Sequence, residues 1–460
     1  MKQKIIVGLG LLTCTLSSVF VGCSSSKKTS TTSKVESAKS LEGIDKVKHV
    51  VVIYMENHSF DNLYGQFEGA NGLSNASQES ITQLDREGKV YKYLPPIPRS
   101  SVFPTNLANG YFNIDQYVPA DQESPDVLHQ YYQERAQING GKMNKFATYN
   151  STMGMTMGYY KTSLLPLYPI ARQYTLCDNF FHSAFGSSFL NHQWLIAAAT
   201  PYFPNAPEHL RAKLDSAGNL EKDGSVTPDG YAVNTIFSIN QPHPSAAKKI
   251  NLVPNQTNPT IGDRLSDKGV SWAWYSGGWD DAMAGHPDGL FQYHHQPFIY
   301  FERYKDGSKD KAEHLKDEKE FIASAKAGTL PAVSFVKPLG KFNEHPGYAN
   351  VVTGERHAVE LINAVLNGPN GKDAVVVLTY DENGGFWDHV APPVIDKWGP
   401  GSRIPAIIIS PFSKKAYIDH TQYETVSILA FIEKRWGLKP LNSRDGNANP
   451  LSGAFDFSQQ

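Results

Sequence analysis

Cysteine is nearly missing from this chain: its 460 residues hold three, Cys14, Cys23 and Cys177. A disulfide framework is thereby excluded, and stability has to come from core size or from a bound metal. An excess of one charge is missing as well. Lys and Arg number 43 against 45 Asp and Glu, for a formal net charge of −2 and a pI near 6.7. That balance leaves no global basic field of the kind nucleic acid or an anionic membrane surface draws on, so nucleic acid is not expected as a partner. Charge on a substrate must be met locally. No internal repeat is evident.

The N-terminus carries an address. Lys2 and Lys4 precede an uncharged run of apolar and small residues from Ile5 to Val21, which reads as an export signal over residues 1–22. The run ends at Val21-Gly22-Cys23 and gives way to Ser24, Ser25, Ser26, Lys27 and Lys28. The pattern resembles a bacterial lipoprotein signal, which implies lipidation of Cys23 and attachment to a membrane on its outer side, with Phe20 departing from the aliphatic residue usual at that place. Loss of Cys14 with the signal and lipidation of Cys23 would leave Cys177 as the only thiol. Residues 23–43, rich in Ser, Thr and Lys, cannot offset the entropy of folding and read as a flexible tether. The folded part is expected over residues 44–460, as one domain.

What is abundant is apolar: 40% hydrophobic and 12% aromatic residues, enough for a large core. Short runs rich in Val and Ile at 47–55, 271–275, 332–336, 374–380 and 404–410 have the composition of strands buried on both faces. Helix-like stretches at 124–137, 315–327, 354–366 and 423–436 lie between or after them. The alternation predicts an α/β fold with a mostly parallel central sheet and helices on both faces. Ligands of such sheets collect beyond the carboxyl ends of the strands.

Two of those ends carry hard oxygen donors. The first run finishes in Glu56-Asn57-His58-Ser59-Phe60-Asp61, and the fourth in Asp381-Glu382-Asn383-Gly384-Gly385-Phe386-Trp387-Asp388-His389. Adjacent carboxylates at a strand end repel unless a cation lies between them, and oxygen ligands suit a divalent ion. The plainer alternatives are a capped turn at Ser59 or Asp61 and a β-hairpin at Asn383-Gly384. For a nucleophile, Gly186-Ser187-Ser188 offers small hydroxyls at the start of a helix-like segment whose N-terminus favours an anion. His129, the pair His294 and His295, and His345 could donate to phosphoryl oxygens or protonate a leaving group.

Taken together, HVVVIYMENHSFDNLYG, the His129 segment before NGGKM, CDNFFHSAFGSSFLNH, HHQP, EHP, LTYDENGGFWDHVAPP and the closing DHTQYETVSILAFIEKRWGL resemble the bacterial acid phosphatase and phospholipase C superfamily. That is a branch of the alkaline-phosphatase-like fold, and the resemblance runs from about Val47 to Leu438. It implies that Glu56, Asn57, Asp381 and Glu382 bind one divalent metal of unspecified identity. Ser188 would share that metal and act as nucleophile, with His129, His294, His295 and His345 around the phosphoryl group. Related phospholipases carry Gly-Pro-Thr and, one residue on, Pro-Asn-Arg at the nucleophile. Serine for threonine and His192 for arginine look more like the acid phosphatase branch. The expected activity is therefore a broad-specificity acid phosphatase working through a phosphoserine. Phospholipase C, and a non-catalytic binder of a phosphorylated ligand, are the alternatives. Protonated histidines would favour acidic to neutral pH.

Overall fold

The computed structural model describes residues 42–458. The export signal, Cys23 and nearly all of the tether lie outside them. At the centre is an eight-stranded sheet: β1 (His49–Met55), β2 (Thr175–Cys177), β3 (Trp272–Ser276), β4 (Leu315–Asp317), β5 (Val333–Lys337), β6 (Ala374–Tyr380), β7 (Ala406–Ile409) and β8 (Tyr417–Asp419). Its spatial order is β8-β2-β7-β6-β1-β5-β3-β4, and only β7 runs against its neighbours. Apart from His49 at the start of β1, the long strands are buried on both faces, as their unbroken Val and Ile runs require. The α/β class with a mostly parallel sheet is thus observed.

Two helix expectations need correction. Residues 315–327 divide into the edge strand β4, which pairs with β3, and a helix α4 (Glu318–Ala327). Asp317 ends the strand and closes a capping box with Glu320, so sheet pairing and a helix start meet at one residue. In 124–137 the helix α2 (Tyr131–Ile138) begins well after Ser124. Ahead of it the Asn150 side chain accepts from the Leu128 amide at 3.1 Å and donates to the Leu128 carbonyl at 2.9 Å, holding that backbone out of a helix. His129 therefore sits in an extended entry segment. The other two helices lie close to expectation: α5 (Val351–Leu366), capped by Asn350, and α6 (Thr425–Trp436), whose capping residue Glu424 belongs to a short separate strand pair. The Asn383-Gly384 hairpin does not form, because β6 reaches its antiparallel neighbour β7 only through the excursion 381–405.

Parallel register puts the chemistry on one edge. Met55 pairs with Tyr380, so Glu56 and Asp381, each one residue further, leave adjacent strands side by side. Ile53 pairs with Val336, which sets Lys337 opposite Tyr54 and on the face that Glu56 shares by the two-residue repeat.

Candidate active site

Beyond that edge, the nucleophile segment arrives on helix α3 (Ser188–Ala197). Gly186 adopts φ 67°, and a Cβ there would stand 2.2 Å from the Tyr131 amide nitrogen, so the loop presses directly on the start of α2. Glu134 of α2 fastens it: one carboxylate oxygen accepts from the Gly186 amide at 2.5 Å, the other from the Ser402 amide and the His182 ring, each at 2.9 Å. Asn191 braces the loop from inside, accepting from the Ala184 amide at 3.1 Å and donating to the Ala184 and Gly186 carbonyls at 2.9 Å.

The two serines diverge. Ser187, the residue before the helix, donates its hydroxyl to the Val233 carbonyl at 2.9 Å. Ser188 turns into the strand edge, where its Oγ donates to Glu56 Oε2 at 3.3 Å and receives the Asn57 side-chain amide at 3.4 Å. Asn57 holds φ 69°, a conformation most residues avoid. Gly384 closes on it so tightly that a Cβ would come within 1.9 Å of the Asn57 carbonyl. That contact explains why glycine follows the acidic pair.

Around this point lie the expected oxygen donors, all buried. Asp381 Oδ1 accepts from the amides of Asn57 at 3.0 Å and Glu382 at 2.8 Å. Glu382 accepts from the Asn57 side chain and from the Gly384 amide at 2.6 Å. Asn57 Oδ1 and Asp381 Oδ2 have no hydrogen-bond partner. Two unpartnered acceptors among carboxylates, in a buried pocket, fit a hard divalent cation. Burial and the charge of Glu56 raise Asp381 to about 7, and burial with Asp381 raises Glu382 well above the carboxylate range. Burial would raise Glu56 too, but the Lys337 ammonium and His295 hold it well below its ordinary value.

The histidines form two groups. His129 and His345 are ring neighbours at 5.2 Å, and His129 Nε2 lies 4.0 Å from Glu382. Their Nδ1 atoms face the carbonyls of Val127 and Pro346, which only accept, so the ring protons sit on Nδ1 and both Nε2 atoms carry lone pairs in the neutral form. His294 and His295 form the second group, with His295 Nε2 2.9 Å from Glu56 Oε1. Burial lowers His294, His295 and His345, the last to about 3 with His129 beside it. A low-dielectric pocket disfavours the charged ring on these three imidazoles until an anion enters.

Every expected site residue is therefore at this edge, with others that the sequence had not placed in the site. Lys337 ends an apolar strand and ion-pairs with Glu56 Oε1. His192 lies one helical turn beyond Ser188, a spacing that was there to be read, and its ring stacks on His295 at 5.0 Å. Glu134 showed only as a charge in a helix. Glu344, at φ 80° ahead of His345, receives the Tyr380 hydroxyl at 2.9 Å and lies against Glu355; burial raises both carboxyls, Glu355 to about 8.

The model of the Phosphoesterase family matches residues 47–439. The chain belongs to that family. It is similar to Phospholipase C A of Mycobacterium tuberculosis, at 26% identity over 90% of this chain and 78% of that protein. It is similar also to the non-hemolytic phospholipase C of Pseudomonas aeruginosa, at 22% over 90% of this chain and 57% of the other. Non-specific phospholipase C1 of Arabidopsis thaliana shares 25% over 89% of this chain and 71% of its own length. Solved structures of similar fold include a protein in the alkaline phosphatase superfamily from Vibrio parahaemolyticus, with 12% identity, 71% and 75% coverage and a TM-score of 0.33. Lipoteichoic acid synthase LtaP from Listeria monocytogenes gives 10% identity, 90% and 82% coverage and a TM-score of 0.32. These are loose superpositions, and the fold class rests on the sheet itself. This phosphoesterase is a hydrolase acting on phosphoester bonds.

Proposed function

We propose that this phosphoesterase is a broad-specificity phosphomonoesterase, an acid phosphatase, that passes the phosphoryl group through Ser188. The observation that carries the reading is the divergence of the neighbouring hydroxyls: Ser187 is spent on the Val233 carbonyl, whereas Ser188 meets Glu56 and Asn57 at the mouth of the buried carboxylates. Glu56, Asn57, Asp381 and Glu382, with Ser188, would hold one divalent ion. Bound there, the ion would supply Lewis-acid polarisation of the hydroxyl and of a phosphoryl oxygen. Ser188 Oγ, aimed by its hydrogen bond to Glu56 Oε2, would lose its proton to water as it attacks phosphorus in line, with the start of α3 facing the incoming negative charge. A phosphoryl dianion beside the imidazoles would favour their protonated form, and with protons taken up from solvent the Nε2 atoms of His129 and His345 would donate to its oxygens. One of His129, His294, His295 and His345 would protonate the leaving alkoxide. Water then releases phosphate by the reverse path. Because the rings must gain charge against burial, activity is expected to lean to the acidic side.

Support for a small polar leaving group comes from a cavity of about 430 Å³ beside His129 and Ser187, lined mainly by polar residues such as Gln130, Ser151, Asp223, Asn234 and Thr235. The second reading, phospholipase C, is supported by the names of the relatives and by a loop after His389 where Val394 is 99% exposed next to half-exposed Ile395, a place for a lipid surface to touch. Phosphate release from a panel of monoesters, set against phosphocholine release from phosphatidylcholine, separates the two; phosphocholine as the dominant product would reverse the order. No turnover on any phosphoester with metal supplied would bring forward a non-catalytic binder. Attachment through a lipid on Cys23, facing outward from the cytoplasmic membrane, completes the proposal. Cys23→Ala should free the protein from membranes with catalysis intact, and unchanged fractionation would refute the anchor.

A further inference from the structure

Glu56 enters the chemistry above through Oε2 alone. Its other oxygen faces a separate buried corner where Glu56, His192 and His295 each bring a ligand atom to within 4.8 Å of the others. His192 Nδ1 lies 2.7 Å from the Ser188 carbonyl, an acceptor only, so the ring proton is on Nδ1. The lone pair on Nε2 has no partner and no access to water. Two imidazoles and a carboxylate are the donor set of a zinc site, and by itself this corner would draw a second divalent ion.

Lys337 stands in the way. Its ammonium ion-pairs with Glu56 Oε1, donates to the Met55 carbonyl at 3.4 Å and lies 5.4 Å from the Tyr54 ring centre, and the side chain is wholly buried. A lysine is seldom buried without a charge to balance. Charge balance points the same way: with Glu56, Asp381 and Glu382 all ionised as ligands, one divalent ion and one ammonium would match their three negative charges. A second divalent ion would leave a surplus of positive charge in a closed pocket.

We propose that Lys337 is a positioning residue that makes this a one-metal centre. It takes Oε1, which leaves Oε2 turned to Ser188, and its charge keeps a second ion out of the His192 and His295 corner. The inference rests on the reading that Glu56, Asn57, Asp381 and Glu382 hold a metal.

The test is a count of zinc bound per chain, by equilibrium dialysis and elemental analysis of the full-length protein. Wild type is expected to bind one Zn2+, and His192→Asn to leave that number unchanged. Lys337→Ala should bind two, and Lys337→Ala with His192→Asn should return to one. A second ion in wild type that His192→Asn removes overturns the proposal, and this comparison stands even if Lys337→Ala does not fold. So does a folded Lys337→Ala that still binds one. Wild type that binds no ion would remove the underlying metal reading instead, a result distinct from either.

Discussion

The segment 381–389 feeds two buried polar clusters that look alike in composition and differ in what is left unpaired. Asp381 and Glu382 join Glu56 and Asn57 at the strand edge. Seven residues beyond each of these, Asp388 and His389 join Asp61 and Arg403. The second cluster also brings ligand atoms to within metal-binding distance, yet its capacity is spent. Arg403 donates to Asp388 at 2.8 Å and to Asp61 at 3.2 Å, as well as to the carbonyls of Asn71 and Asp178. Asp61 accepts from the His389 amide at 2.8 Å, and His389 Nδ1 lies 2.6 Å from the same carboxylate. The first cluster keeps Asn57 Oδ1 and Asp381 Oδ2 without partners. Residue type does not separate these two clusters; the acceptors left without a partner do.

If that contrast is right, the two clusters break differently. Asp381→Asn should lower turnover by three orders of magnitude or more, about 4 kcal/mol in transition-state terms. Heating the same variant with and without chelator should show no difference, whereas metal at 100 times its Kd should stabilise wild type by about 2.7 kcal/mol. A variant still stabilised by metal would return Asp381 to an ordinary strand end. Arg403→Met, by contrast, leaves two buried carboxylates facing each other and should cost about 3–5 kcal/mol of stability. Its folded fraction should still turn over substrate, as measured by activity corrected for the population unfolded in urea. Loss of catalysis without loss of stability would place the clamp inside the active centre.

A smaller effect sharpens the same point by pH. Glu355 rises from an ordinary 4.5 to about 8 through burial, so its neutral form belongs to the folded state. A carboxyl raised on folding contributes stability that is fully present below pH 4.5 and is lost as pH climbs through 8. Glu355→Gln, which can still accept from the Leu167 amide now bonded at 2.7 Å, should flatten that decline in Tm across the window. An unchanged slope would mean that Glu355 is not the group shedding the proton.

How much of this was readable in the chain follows from the same physics. Strands β1 and β6 were legible because both faces are buried, and their oxygen donors because acidic pairs at strand ends are otherwise costly. Ser188 was chosen over Ser187 by resemblance alone; the Val233 carbonyl that occupies Ser187 lies 46 residues away and leaves no trace nearby. Lys337 looked like the polar end of an apolar run, since its partner is set by register with β1. Glu134 reads as a surface charge until Gly186, Ser402 and His182 close around it. Residues 315–317 follow a helix period as well as a strand period, and only pairing with β3 decides between them.

On the proposed mechanism Ser188, alone of the paired serines, carries the phosphoryl group. Acid quench during turnover, followed by peptide mass analysis, tests it most directly, because phosphoserine survives acid and phosphohistidine does not. The expected result is phosphate on Ser188 in wild type, none in Ser188→Ala with turnover down by about three orders of magnitude, and a far smaller loss in Ser187→Ala. Phosphate on Ser187, or on no residue while Ser188→Ala stays active, would contradict it and make water the attacking group.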